Sequence, residues 1–179
     1  MKKLFIVLVV LLLATVVVGF ITPSDYEVST SIVIDASPAE VHVWVGDLKK
    51  WPEWAPWHAA DPTIVTTFGD KTTGVGASQT WTSAEDGDGE LELTRCDPAT
   101  GIAYEMAFIM DGERMPASSS MDYEVVDGGT QVTWSMQGDW EGIMPPVLDG
   151  LFKLLTPMMI EGDFDSGLAA LKEQVEAGA

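Results

Sequence analysis

A chain of 179 residues has room for one domain with a sizeable core, and its 28 acidic against nine basic side chains give a formal net charge of −19. That charge argues against nucleic acid and anionic lipid headgroups as partners. Cys96 is the only cysteine, which excludes an internal disulfide and leaves packing alone to hold the core.

Residues 4–21 carry no charge, with Thr15 and Gly19 as mild interruptions. At about 1.5 Å per residue such a run crosses most of a bilayer core, so residues 1–22 read as a transmembrane anchor or a signal peptide. Lys2 and Lys3 precede the run, and Asp25 and Glu27 follow it. The positive-inside rule therefore leaves the N-terminus in the cytoplasm and the remaining chain extracytoplasmic. No A-x-A cleavage site follows, which favours a single-pass anchor over a secreted product. Without Lys2 and Lys3, seven basic residues face 28 acidic ones, and the remaining chain carries −21. Residues 23–25 form a short tether, and residues 26–177 form the domain.

Tyr26, Val28, Thr30, Ile32 and Ile34 alternate with mostly polar neighbours, the period of a strand with one buried face. Ser37, Pro38 and Glu40 supply an N-cap, a first-turn proline and a capping box for a helix that bears Val41, Trp44, Val45 and Leu48 and ends near Lys49. Trp51-Pro52-Glu53-Trp54-Ala55-Pro56-Trp57 follows, a proline-stiffened aromatic corner whose indole N–H groups need carbonyl partners if it packs on the core. Strands are predicted at 63–68, 77–83, 90–96, 102–110, 119–125 and 130–136, separated by turns rich in glycine and aspartate. The result is an antiparallel meander of six or seven strands. In the last third, Leu148, Leu151, Leu155 and Met158 share one helical stripe, and Phe164, Leu168, Leu171 and Val175 share another. The stripes are out of phase across Pro157 and Gly162, so the spacing predicts two helical pieces, the second over 163–176. The class is α+β, a curved antiparallel sheet closed by C-terminal helix, plus the N-terminal transmembrane helix.

The run Ile32-Val33-Ile34-Asp35-Ala36-Ser37-Pro38-Ala39-Glu40-Val41, then Asp47-Leu48 and the tryptophan corner, resembles the opening of the polyketide cyclase/dehydrase and lipid-transport branch of the START-like, Bet v 1-like superfamily (SRPBCC). Gly74-Val75-Gly76-Ala77 before Trp81, Gly87-Asp88-Gly89-Glu90-Leu91, Thr130-Gln131-Val132-Thr133-Trp134 and the segment from Gly162 to Lys172 are similar to later family motifs in the same order. The resemblance covers residues 26–175. It implies a helix-grip fold with an apolar cavity between sheet and C-terminal helix. Its members include cyclases, lipid carriers and ubiquinone-binding proteins, so fold alone does not choose an activity.

A cyclase or dehydrase needs a general acid or base in that cavity. His42 lies on the first helix and His58 follows the tryptophan corner, and His58 is the better placed of the two. Tyr104 and Tyr123 share the inward phase of their strands, as candidates for catalysis or for one buried hydrogen bond. Arg95 continues the alternation of Leu91 and Leu93. It and Arg114 are the two arginines available to hold a ligand carboxylate or phosphate, against the alternative of offsetting surface acid. The alternating carboxylates around Gly87 lack the spacing of a calcium loop, and no phosphate loop, C-x-x-C or H-E-x-x-H is present. No cofactor and no metal are expected. The apolar residues expected to face the ligand are Trp54, Trp57, Trp81, Met106, Phe108, Met110, Met121, Trp134, Met136, Leu148, Phe152, Leu155 and Met158, with Tyr104 and Tyr123 among them; the alternative is that they fill a core. The expected function is binding or transport of a hydrophobic small molecule, lipid, isoprenoid or polyketide-like, close to a membrane. The alternative is a cyclase/dehydrase using a cavity histidine or tyrosine.

Overall fold

The computed structural model describes residues 25–84, 87–110, 112–139 and 146–178, with the side chains of 110 and 146–154 outside that description. The apolar N-terminal run lies outside it too. Among the described residues no helix is long and apolar enough to cross a membrane.

Seven strands form one antiparallel sheet: β1 (Asp25–Ile34), β2 (Val65–Phe68), β3 (Ser78–Thr82), β4 (Asp88–Asp97), β5 (Gly101–Met110), β6 (Glu113–Val126) and β7 (Gly129–Asp139). Their spatial order is β1-β7-β6-β5-β4-β3-β2, so every sequential hairpin is a neighbouring pair and β1 closes the edge against the last strand. At the β6–β7 turn Gly129 has φ +128, and a Cβ there would sit 2.0 Å from the Ile34 carbonyl oxygen. The turn thus requires glycine for both torsion and space.

Between β1 and β2 the chain forms α1 (Pro38–Val45), a 3-10 helix (Leu48–Glu53) and α2 (Pro56–Ala60). The capping box is formed: the Glu40 N–H donates to Ser37 Oγ, and the Ser37 N–H donates to Glu40 Oε2 at 2.7 Å. α1 stops at Val45, four residues before the expected end. Asp47 starts a second helical turn by accepting from the Lys49 N–H at 3.1 Å, while the Leu48 N–H is drawn to the Thr72 carbonyl at 2.9 Å.

The C-terminal stretch is one helix, α3 (Pro146–Ala177), where the spacing predicts two pieces. Pro157 forfeits one backbone hydrogen bond and Gly162 costs about 1 kcal/mol relative to alanine. Both fall where Leu155, Met158, Met159, Glu161, Gly162 and Asp163 are exposed, so water can satisfy a freed carbonyl. The buried stripe is the second one predicted: Phe164, Leu168, Leu171 and Val175. α3 runs parallel to β1, with Asp165 accepting from the Thr30 hydroxyl, Lys172 donating to the Val33 carbonyl and Glu176 accepting from the Asp35 N–H in rising order along both elements.

The core lies between this stripe and the inner sheet face. Trp134 stacks on Phe164 with ring centroids 4.1 Å apart and planes 4° from parallel, and meets Trp54 and Trp57 edge-on at 5.7 and 5.5 Å. Its ring edge also lies 2.9 Å from where a Cβ on Gly167 would be, so α3 approaches the sheet more closely than any larger residue allows. The middle of the grip is filled by aromatic rings.

Candidate functional site

Among the described residues, an apolar cavity sits to one side, between the tryptophan corner and strands β2 to β5. It measures about 60 Å³ and is lined by Trp51, Trp57, His58, Ile64, Thr66, Gln79, Trp81, Leu91, Tyr104, Met106 and Phe108. Strand alternation puts these residues on one face: Leu91 opposes Gln79 and Met106, while Trp81 opposes Gly89 and Thr66. Gly89 is required there, because a Cβ would lie 2.0 Å from the Trp81 ring. Trp81 thus rests flat on its neighbouring strand and meets Phe108 edge-on at 6.0 Å. The tryptophan corner is held as a rigid wall: the Trp51 indole N–H donates to the Val45 carbonyl at 2.9 Å, and that of Trp54 to the Trp44 carbonyl at 3.2 Å.

Of the residues expected to face a ligand, Trp57, Trp81, Tyr104, Met106 and Phe108 line the cavity. Trp54, Met121, Trp134 and Met136 are instead buried core, at 0–2% exposure. Leu155 and Met158 are exposed at 42% and 75%, because the continuous α3 keeps them out of phase with the buried stripe of Phe164, Leu168, Leu171 and Val175. The side chains of Met110, Leu148 and Phe152 lie outside the described residues.

Tyr104 reaches the cavity, but its oxygen accepts from the Trp134 indole N–H at 3.1 Å, and burial pushes the phenol up to about 12. It therefore stays protonated and structurally engaged near neutral pH. Tyr123 lies beside His42 under α1, away from the cavity. Its rings meet edge-on at 6.1 Å, and burial raises its pKa. His42 Nε2 is 3.4 Å from Cys96 Sγ and belongs to that same packing. His58 does line the cavity. Its Nε2 pairs with Thr66 Oγ1 at 3.1 Å, and burial lowers its pKa, so the ring is neutral near pH 7.

The arginines face away. The register of β4 on β5 slips by one residue between Leu93 and Arg95, so Arg95 opposes Ala103 and Cys96 takes the inward position opposite Ile102. This bulge overturns the inward reading of Arg95, which pairs with Asp122 and donates to the Ile102 carbonyl at 2.9 Å. Arg114 pairs with Glu90 at 2.9 Å, both well exposed. Among the described residues, none that lines the cavity carries a formal charge at neutral pH, and no cluster of three metal-ligating side chains occurs.

Trp51, Ile64, Thr66, Gln79 and Leu91 complete the lining without being singled out from sequence. Gln79 and Leu91 were within reach, since Gln79 shares the phase of Trp81, and Leu91 that of Leu93.

The model of the polyketide cyclase / dehydrase and lipid transport family matches residues 25–176, almost all of the described chain. The protein belongs to that family. The helix-grip architecture also recurs in solved structures of low identity. Ara h 8.0201 superposes with a TM-score of 0.62 at 16% identity, covering 86% of this chain and 99% of its own. A protein of unknown function from Staphylococcus aureus gives 0.63 at 13%, covering 86% and 95%. A third, from Chromobacterium violaceum, gives 0.58 at 15%, covering 84% and 98%. At these identities the likeness concerns the fold. No curated protein matches the chain in sequence.

Proposed function

We propose that this family member is a membrane-tethered, non-catalytic binder or carrier of a hydrophobic small molecule, lipid, isoprenoid or polyketide-like. The observation that carries the reading is the cavity wall itself: seven large apolar side chains, Trp51, Trp57, Ile64, Trp81, Leu91, Met106 and Phe108, with no charged group among the described lining residues. Such a wall favours apolar ligands. At about 60 Å³ the cavity holds roughly four to six water-sized groups, so it seats one end of a molecule. Each methylene buried there contributes about 0.8 kcal/mol.

The tether is supported by the uncharged run at residues 4–21 and by the four-residue spacing to the start of β1 at Asp25. A fully extended stretch of that length reaches about 14 Å, so an inserted run keeps the domain at the bilayer surface. The domain division into 1–22, 23–25 and 26–177, and the extracytoplasmic placement, follow from the same reading. Among the described residues, a cyclase/dehydrase would have to rely on His58, the acid–base candidate in the cavity that is not already committed as Tyr104 is, and no described carboxylate of the lining orients it.

Organic extraction of the purified full-length protein followed by mass spectrometry should recover a co-purifying hydrophobic compound. A protein that yields none, and that also fails to take up hydrophobic dyes, rejects the binding function. Recovery of the protein in the soluble fraction after alkaline carbonate extraction rejects the anchor.

A further inference from the structure

We infer that the ligand end seated in this cavity is a neutral hydroxyl, held by Gln79 and His58, on an otherwise apolar molecule. The inference deepens the binding function proposed above and rests on it. Two observations carry it. Gln79 is 6% exposed, lines the cavity and has no hydrogen-bond partner for its Oε1. His58, on the same wall, uses Nε2 on Thr66 and leaves a buried Nδ1 without a partner. Buried polar atoms without partners are uncommon, and two on residues that line one cavity call for a common explanation.

The chemistry of the pair selects the ligand group. If the Thr66 hydroxyl donates to Nε2, then Nδ1 carries the proton and donates; if Nε2–H donates to Thr66, then Nδ1 accepts. A hydroxyl has one proton to donate and lone pairs that accept, so it satisfies Gln79 Oε1 and His58 Nδ1 together in the tautomer with the proton on Nδ1, the one that a donating Thr66 hydroxyl holds in place. A carboxylate or phosphate does not. It would meet an amide oxygen, and among the described residues no arginine or lysine lines the cavity to balance its charge, since Arg95 and Arg114 are paired on the outside. His58 supplies no positive charge either, because burial keeps it neutral. The half-buried Trp57, Ile64 and Trp81 mark the side through which the apolar remainder leaves a cavity too small for a whole lipid. Sites built around such polar atoms reject analogues that lack the matching group.

The test compares 4-ethylphenol, ethylbenzene and 4-ethylbenzoate as ligands of the full-length protein in detergent, read by ligand-observed NMR and by tryptophan fluorescence. The phenol should bind about tenfold more tightly than ethylbenzene, the gain expected of one satisfied buried hydrogen bond, and the benzoate should not bind. Gln79→Met, close in shape, should bring the phenol and ethylbenzene affinities together while ethylbenzene still binds, which shows the cavity intact. Thr66→Val, which releases Nε2 of His58, serves as the second variant should Gln79→Met fail to fold, and should also shrink the phenol preference. Ethylbenzene binding without a phenol preference, a preference that survives the folded variants, or tightest binding by the benzoate overturns this inference and leaves the binding function standing. If none of the three probes binds, both fall.

Discussion

Replacing Trp134 by alanine asks whether the middle of the grip is packed or hollow. Trp134 is fully buried, stacked on Phe164 and edge-on to Trp54 and Trp57. Removing a tryptophan from such a site costs about 3–5 kcal/mol through lost transfer energy and the cavity left behind. The lost indole donor adds little, because Ser119 still donates to the Ser135 carbonyl at 2.6 Å and lies close enough to Tyr104 to pair with it. At about 2–4 °C per kcal/mol for a domain of this size, a loss near 4 kcal/mol lowers Tm by roughly 8–16 °C. Urea unfolding of the full-length protein in detergent, followed by far-ultraviolet circular dichroism, gives the free energy directly provided the slope with denaturant is unchanged. Trp81→Ala is the internal comparison. That ring is only half-buried and borders the cavity, so its loss should cost clearly less. A Trp134→Ala cost below about 1 kcal/mol, or one equal to that of Trp81→Ala, would refute the packed centre and restore a large hollow between sheet and helix.

Gly167→Ala should destabilise the protein although alanine is the better helix former by about 1 kcal/mol, because the new Cβ would lie 2.8 Å from Pro56 and 2.9 Å from Trp134. A raised Tm in that variant would show that α3 can draw back from the sheet. His42 and His58 both have folded-state pKa values held below 6.5 by burial, opposed at His42 by Asp97. The unfolded chain therefore takes up protons that the folded chain refuses. Stability should be full above about pH 6.5 and decline as pH falls through the folded values. The carboxylates whose pKa values are lowered, Glu40, Asp61 and Asp97, act in a separate, more acidic window. His58→Gln should flatten the decline between pH 7 and 5 in urea titrations, and an unchanged slope in both His58→Gln and His42→Gln would contradict the burial argument.

The elements were legible because each has a local cause. Alternation marked the strands, a capping box marked α1, and glycine turns marked the hairpins, so the antiparallel meander and its closing helix follow from spacing alone. The site was only half legible. Trp57, Trp81, Tyr104, Met106 and Phe108 were assigned to the cavity by phase, and they line it. Phase also assigned Trp134, Met121 and Met136, which face the same way and fill the core, because inward direction does not say whether the opposing surface is near or far. Of the two roles open to Arg95, the inward one fails on a single inserted residue, since a bulge inverts every later side chain on its strand, and the pairing with surface acid holds.

Composition and periodicity by themselves determined an acidic chain with an apolar run near its N-terminus, one α+β domain and the residues able to face inward. Those are properties of a segment and its immediate neighbours. Tertiary structure alone decided that α3 continues through Pro157 and Gly162, that Phe164 stacks on Trp134 and closes the centre, and that an apolar cavity lies under the tryptophan corner beside Gln79 and His58. Those outcomes depend on the distance between side chains far apart in sequence, and a vacancy is set by what fails to meet there.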